Sequence, residues 1–215
     1  MRRMLSGVAA LMLGTAVGST LDAQACLGLN SPTNLQLSAE AGNSAKQFGL
    51  DLHFGKSTGV FFGVGGHYTD FDDTDANAKG ATGTLGFQLG GGGEKKAAFC
   101  PIAQVGFSSG PDFGTIETSN IAAAGGLSVG IPLAAGSDFT LIPTGSLSFV
   151  YDRIKVKSGG VSATDSDGYG ILSGGVGFLV SPRFVLKPFV NVPIGLDGAD
   201  PTFGIVVSFG LGKGS

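Results

Sequence analysis

The chain has 215 residues, enough for one domain, and only 13% of them are charged, about half the usual share for a soluble globular protein. Its formal net charge is −3 and its mean hydropathy +0.31. After residue 25 no segment supplies the run of about 18 apolar residues that a spanning helix needs. The apolar residues come in short pieces, which excludes a helical membrane protein and favours crossing a membrane with strands.

The N-terminus predicts an export signal over residues 1–25. Arg2 and Arg3 give the positive start, Met4–Val17 the short apolar core, and Ala23-Gln24-Ala25 the small-x-small pattern that signal peptidase cleaves. The residues after Arg2-Arg3 do not match a twin-arginine export motif. Cleavage after Ala25 leaves a segment 26–32 ahead of a body at 33–215. Cys26 would then be the first mature residue. A lipid-attachment box normally has Leu three residues before its cysteine, and Ala23 stands there. The other reading is a disulfide with Cys100, the second of the two cysteines, because an exported protein meets an oxidising compartment.

Beyond the signal, helical periodicity gives way to segments of about ten residues that alternate apolar with small or polar residues, separated by Gly/Asp/Ser/Pro clusters. Ten strands are predicted, at 33–42, 45–54, 58–69, 79–90, 97–108, 118–131, 139–152, 166–180, 183–193 and 202–211. Their lengths suit a strand crossing a membrane at about 45°, which takes about 9–11 residues. In the second, Phe48, Leu50, Leu52 and Phe54 oppose Gln47, Gly49, Asp51 and His53. In the third, Val60, Phe62, Val64 and Tyr68 oppose Gly63, Gly65 and His67. In the seventh, Phe139, Leu141, Leu147, Phe149 and Tyr151 alternate with Thr140, Thr144, Ser146 and Ser148, and the last sets Phe203, Ile205, Val207, Phe209 and Leu211 against Gly204, Ser208 and Gly210.

The second face is rich in Gly, Ser, Thr and Gln and too poor in charge for a solvated exterior. It suits a crowded lumen, and the apolar face suits lipid. Closure would satisfy every backbone polar group, as hydrocarbon demands. The fold predicted is therefore all-β, a closed antiparallel up-and-down transmembrane barrel of about ten strands, an eight-strand version being the alternative. Short links near 55–57, 91–96, 132–138 and 181–182 alternate with longer ones near 70–78, 109–117, 153–165 and 194–201; the tight 43–44 link is out of step. The longer-link side holds 11 of the 16 acids, Asp152, Asp165 and Asp167 among them, and the other side carries Lys56, Lys95, Lys96, Arg183 and Lys213.

The export signal, strands such as 139–151 (FTLIPTGSLSFVY), the Gly-rich hairpins and the final strand 203–212 (FGIVVSFGLG) together resemble small outer-membrane barrels of the opacity-protein and OmpX type. The resemblance covers 33–212 and implies location and architecture; its families include adhesins, host-interaction proteins, stability factors and narrow pores. Many such barrels end on an aromatic residue read by the assembly machinery, whereas Phe209 here is followed by Gly-Leu-Gly-Lys-Gly-Ser.

Several clusters invite a chemical reading. Gln36, Glu40, Gln47, Asp51, His53, His67, Gln88, Gln104, Lys187 and Asn191 fall on the lumen face, with Glu40, Asp51 and Lys187 as candidates for ion pairs. A hairpin centred on 56–57 would pair His53 with about residue 60 and His67 with about residue 46, and neither histidine has a Ser at nucleophile–base spacing. Asp70, Asp72, Asp73 and Asp75 crowd one loop, where hard oxygen ligands could hold a divalent cation weakly and bridge it to lipopolysaccharide phosphates. Asp165-Ser166-Asp167-Gly168 reads as a second acidic turn. Neither matches an EF-hand. Phe71 and Phe113, in acidic loops, are candidate exposed contacts for an extracellular ligand. A Cys26–Cys100 bridge would tuck 26–32 into the periplasmic mouth.

No phosphate loop, zinc pattern, catalytic triad or basic nucleic-acid patch appears, so no cofactor or nucleic acid is expected. The partners expected are outer-membrane lipid, lipopolysaccharide and the barrel-assembly machinery. The leading functional reading is a structural or surface-interaction outer-membrane protein without enzymatic activity and with a narrow or plugged lumen. The second is a narrow passive pore for ions or small polar solutes, and the third a lipid-modifying enzyme.

Overall fold

Strict alternation of apolar and small or polar residues leaves each segment two unlike faces, and both are satisfied when the strands close on themselves with one face in and the other out. The computed structural model has that form. The structure describes residues 33–55, 59–72, 76–90, 97–111, 114–134, 140–181 and 183–211. Its strands are β1 (Thr33–Ala41), β2 (Ala45–Gly55), β3 (Gly59–Phe71), β4 (Asn77–Gly90), β5 (Ala98–Ser109), β6 (Ile116–Gly130), β7 (Leu133–Ala134), β8 (Thr140–Ser158), β9 (Val161–Ser181), β10 (Phe184–Ile194) and β11 (Thr202–Gly210).

Each long strand is antiparallel to the next in sequence. β6 pairs with β8, and β1 pairs with β11 from Asn34↔Gly210 to Ala41↔Phe203, so the ten long strands form a closed ring. β7 is a two-residue strand on the start of β8. The count is ten, not eight.

The outward face is apolar between two levels. Leu50, Val64, Leu85, Val105, Ile121, Leu127, Leu147 and Leu172 are all about half exposed or more, an arrangement that water would penalise and lipid accepts. Aromatics edge the band at both ends. Phe54 stacks on Phe62 at 5.1 Å and Phe184 meets Phe209 edge-on at 5.5 Å at the turn end, while Phe48, Tyr68, Phe107, Tyr151 and Phe203 mark the other. The barrel is of the outer-membrane type.

Four expectations change. The link 153–165 is not a loop: the β8–β9 ladder runs on unbroken to Ser158↔Val161 and turns at Gly159-Gly160. Both glycines have positive φ, 55° and 85°, as a two-residue hairpin turn requires. Asp165-Ser166-Asp167-Gly168 is accordingly strand rather than turn. β2 and β3 pair with His53 opposite Gly63 and His67 opposite Gly49, three positions from the expected register. Paired residues point the same way, and Gly63 and Gly49 share the inward face with the histidines where residues 60 and 46 do not. Phe71 is buried against Ala45 and Ala78 rather than exposed; Phe113 lies outside the described residues.

Candidate functional site

Side chains on the inward face fill the lumen by matching large residues to glycines on the neighbouring strand. Phe61 faces Gly86, His53 faces Gly63, His67 faces Gly80 and Phe189 faces Gly204; a Cβ at any of these glycines would fall inside the facing ring. Glycine is used here for space, and that is why so glycine-rich a chain can be well packed.

All ten expected lumen residues point inward. Gln36, Glu40, Gln47, Asp51, His53, Gln88, Gln104, Lys187 and Asn191 are buried, and His67 is half-buried. Glu40 anchors the most connected group: Asn191 Nδ2 donates to Glu40 Oε1 at 3.0 Å, the Thr202 hydroxyl donates to the same oxygen, and Ser173 Oγ donates to Asn191 Oδ1 at 2.6 Å. This chain ties β9, β10, β11 and β1 across the seam where the two ends of the sheet meet. Gln104 Nε2 donates to Thr84 Oγ1 at 3.0 Å, and the Thr82 hydroxyl donates to Asp51. The Glu40 and Asp51 carboxyls thus accept from neutral hydroxyls and an amide, which supply part of what water would otherwise give. His67 borders a small cavity with Thr82, Ser108, Asn120 and Ala122.

Apolar clusters flank this polar middle. Toward the longer-link end Ala122, Val150, Tyr169 and Ile171 pack with Leu196, which the 195–201 loop folds into the mouth. Toward the turn end Phe61, Ala98 and Cys100 pack together, with Ile142 and Val185 as a further group.

Sequence reasoning missed Asn34, Asn120, Asp152 and Tyr169, all buried and inward. Asp152, counted by sequence with the acids of the longer-link side, lies inside the barrel and accepts a hydrogen bond from the Asn120 side chain. The alternation continued past Tyr151 into Arg153-Ile154-Lys155-Val156-Lys157 would have found it.

The acidic loop divides. Asp70 and Asp72 are exposed, and Lys46 Nζ reaches Asp72 Oδ1 at 2.5 Å; Asp73 and Asp75 lie outside the described residues. Among the described residues no group of three or more His, Cys, Asp or Glu side chains is placed to hold a metal ion. Cys100 is fully buried on β5 opposite Ser128. Cys26, the segment 26–32 and the signal lie outside the described residues.

No protein-family profile and no curated protein matches the sequence. Solved structures do match. The translocator domain of the autotransporter NalP from Neisseria meningitidis aligns over 97% of this chain and 99% of its own, at 12% identity and a TM-score of 0.56. That likeness shows the fold. Ail, the attachment invasion locus protein of Yersinia pestis, aligns over 83% of this chain and 97% of its own at 12% identity and a TM-score of 0.42. The N-terminal β-barrel domain of Pseudomonas aeruginosa OprF covers 84% and 96% at 11% identity and a TM-score of 0.41.

Proposed function

We propose that the protein is an integral barrel of the bacterial outer membrane with a structural or surface-interaction role, no enzymatic activity and a lumen closed to solutes. The observation that carries the closed lumen is the pair of apolar clusters around Tyr169–Leu196 and Phe61–Cys100, with buried Gln36, Gln104 and Lys187 between them. A conduit would leave its lining accessible. Barrels near eight strands are filled by side chains, whereas aqueous channels need about sixteen. The register partners of the histidines, Asn34 and Gly63 for His53 and Gly49 and Gly80 for His67, include no serine, and Ser108, which shares a small cavity with His67, is the hydroxyl a catalytic reading would have to use.

Planar-bilayer recording of the refolded full chain tests this. Silence at ordinary voltages is expected; stable discrete conductance would replace the closed barrel with the narrow pore. Incubation with lipid A followed by mass analysis of its acyl chains is expected to show no change, and altered acylation would make the protein an enzyme. A Cys26–Cys100 bridge is part of the same proposal, supported by the position of Cys100 near the turn end of β5. Two free thiols in the purified, cleaved protein would remove it.

A further inference from the structure

Above the lipid band, β8 and β9 continue as a projecting hairpin, and its pleat sorts charge by sign. Arg153, Lys155 and Lys157 alternate along β8 and lie on the face continuous with the outward residues Leu147, Phe149 and Tyr151. Across the ladder they pair with Ser166, Thr164 and Ser162. Asp152, Asp165 and Asp167 occupy the opposite face, which continues the lumen side. On the other flank Arg153 pairs with Ile121, Lys155 with Ser119 and Lys157 with Glu117. All three cations are exposed, and none makes an ion pair among the described residues, unlike Lys46 on the same rim, which pairs with Asp72.

Height decides what such a row would meet. From Leu141 to Tyr151, at about 3.3 Å per residue and a tilt near 40°, the outward face of β8 covers about 25 Å, the height of a lipid-facing band. Arg153, Lys155 and Lys157 then follow about 5, 10 and 15 Å above its aromatic edge. The first two fall at the level of lipid headgroups, the third beyond it. Hydroxyls of Ser166, Thr164 and Ser119 flank them and add neutral donors to a cationic row, the composition that suits a phosphate.

We infer that Arg153, Lys155 and Lys157 form a docking row for the phosphate groups of outer-leaflet lipopolysaccharide, clamping the lipid against the β6–β8–β9 side of the barrel. The inference rests on the outer-membrane reading above and names a lipid for one side of that barrel. Asp152, Asp165 and Asp167 face away from the lipid on this hairpin, and Glu117 opposite Lys157 is the acid that shares the outward face with the row.

The test uses the full chain refolded in detergent, titrated with purified lipopolysaccharide, binding being read by native mass spectrometry and folding by heat-modifiable gel migration. Replacing the row (R153Q/K155Q/K157Q) is expected to weaken lipopolysaccharide binding about tenfold with heat-modifiability intact, as is removing the lipid's phosphates enzymatically. Glu117→Gln, which takes away the acid facing Lys157, is expected to strengthen it. Unchanged affinity in the triple variant, equal affinity for dephosphorylated lipid, or displacement by millimolar inorganic phosphate would overturn the docking row and leave the membrane barrel standing. Failure of the parent chain to show heat-modifiable migration would instead remove the outer-membrane reading, and the row with it.

Discussion

His53 and Gly63 show how closely single residues are matched in this lumen. The histidine ring occupies the space a side chain at Gly63 would take, its Nδ1, Cε1 and Cγ being the three atoms nearest that Cβ position. Gly63→Val is expected to destabilise the barrel by about 1–3 kcal/mol through overpacking. His53→Ala in the same chain should recover part of that loss, since the two sites compete for one volume. Urea unfolding from bilayers, followed by gel migration, reads both, and additive effects would show that the ring is not the obstacle. Gly125, on the lipid face with nothing near its Cβ position, is the control: Gly125→Ala should be neutral or slightly stabilising. Glu40 poses a different case, because two donors converge on one of its oxygens. Glu40→Ala strands them and is expected to cost about 1–3 kcal/mol, while Glu40→Gln, which keeps an acceptor, should cost less.

At the scale of elements the β8–β9 hairpin is the part of the fold where alternation outran the expected loop. Its two strands have 19 and 21 residues against 9 for β1 and β11. β10 accompanies β9 only as far as Ile194↔Gly170, so beyond that point the hairpin leans on β6 alone. Replacing Gly159-Gly160 by Ala-Ala forces two Cβ atoms into positive φ, at roughly 1 kcal/mol each. Amide exchange is expected to accelerate across 153–166 while the barrel keeps its heat-modifiable migration. Global unfolding in that variant would mean that the hairpin is part of the cooperative core. The segment was readable as strand: Arg153 to Lys157 alternates, and Gly-Gly between two alternating runs is a hairpin signal. Its density of charged residues resembles that of an exposed loop, and only the period of two distinguishes it as strand.

For the whole molecule, the decisive feature is which face meets lipid. Leu147 lies near mid-height of the β8 band and is more than half exposed. Leu147→Arg is expected to cost about 2–4 kcal/mol at that depth, and Ser119→Arg, above the band, about 0–1. Equal costs at the two positions would contradict the placement of the membrane. The alternation carried this result almost unaided, since the faces of β2, β3, β8 and β11 have the phase that Phe48, Val64, Leu147 and Ile205 imply. The His53–Gly63 register was also within reach, because residues paired across a ladder must share a face, a condition that the pairing of His53 with residue 60 breaks.

Local alternation needs only the chain: period two assigns each residue a face, segment length limits what it can cross, and poverty in charge decides which face can meet water. The closed up-and-down barrel and the ten expected lumen residues follow from those, while the choice of ten strands over eight is made by the pairing of β1 with β11. Contacts between strands distant in sequence do not follow from them. The Ser173–Asn191–Glu40–Thr202 chain exists because ring closure brings β1 beside β11. Leu196 plugs the mouth because a loop folds inward over Tyr169, and Phe71 is buried because Ala45 and Ala78 leave room for it. Packing of that kind depends on which side chains the closed ring places face to face, and only the tertiary structure decides it.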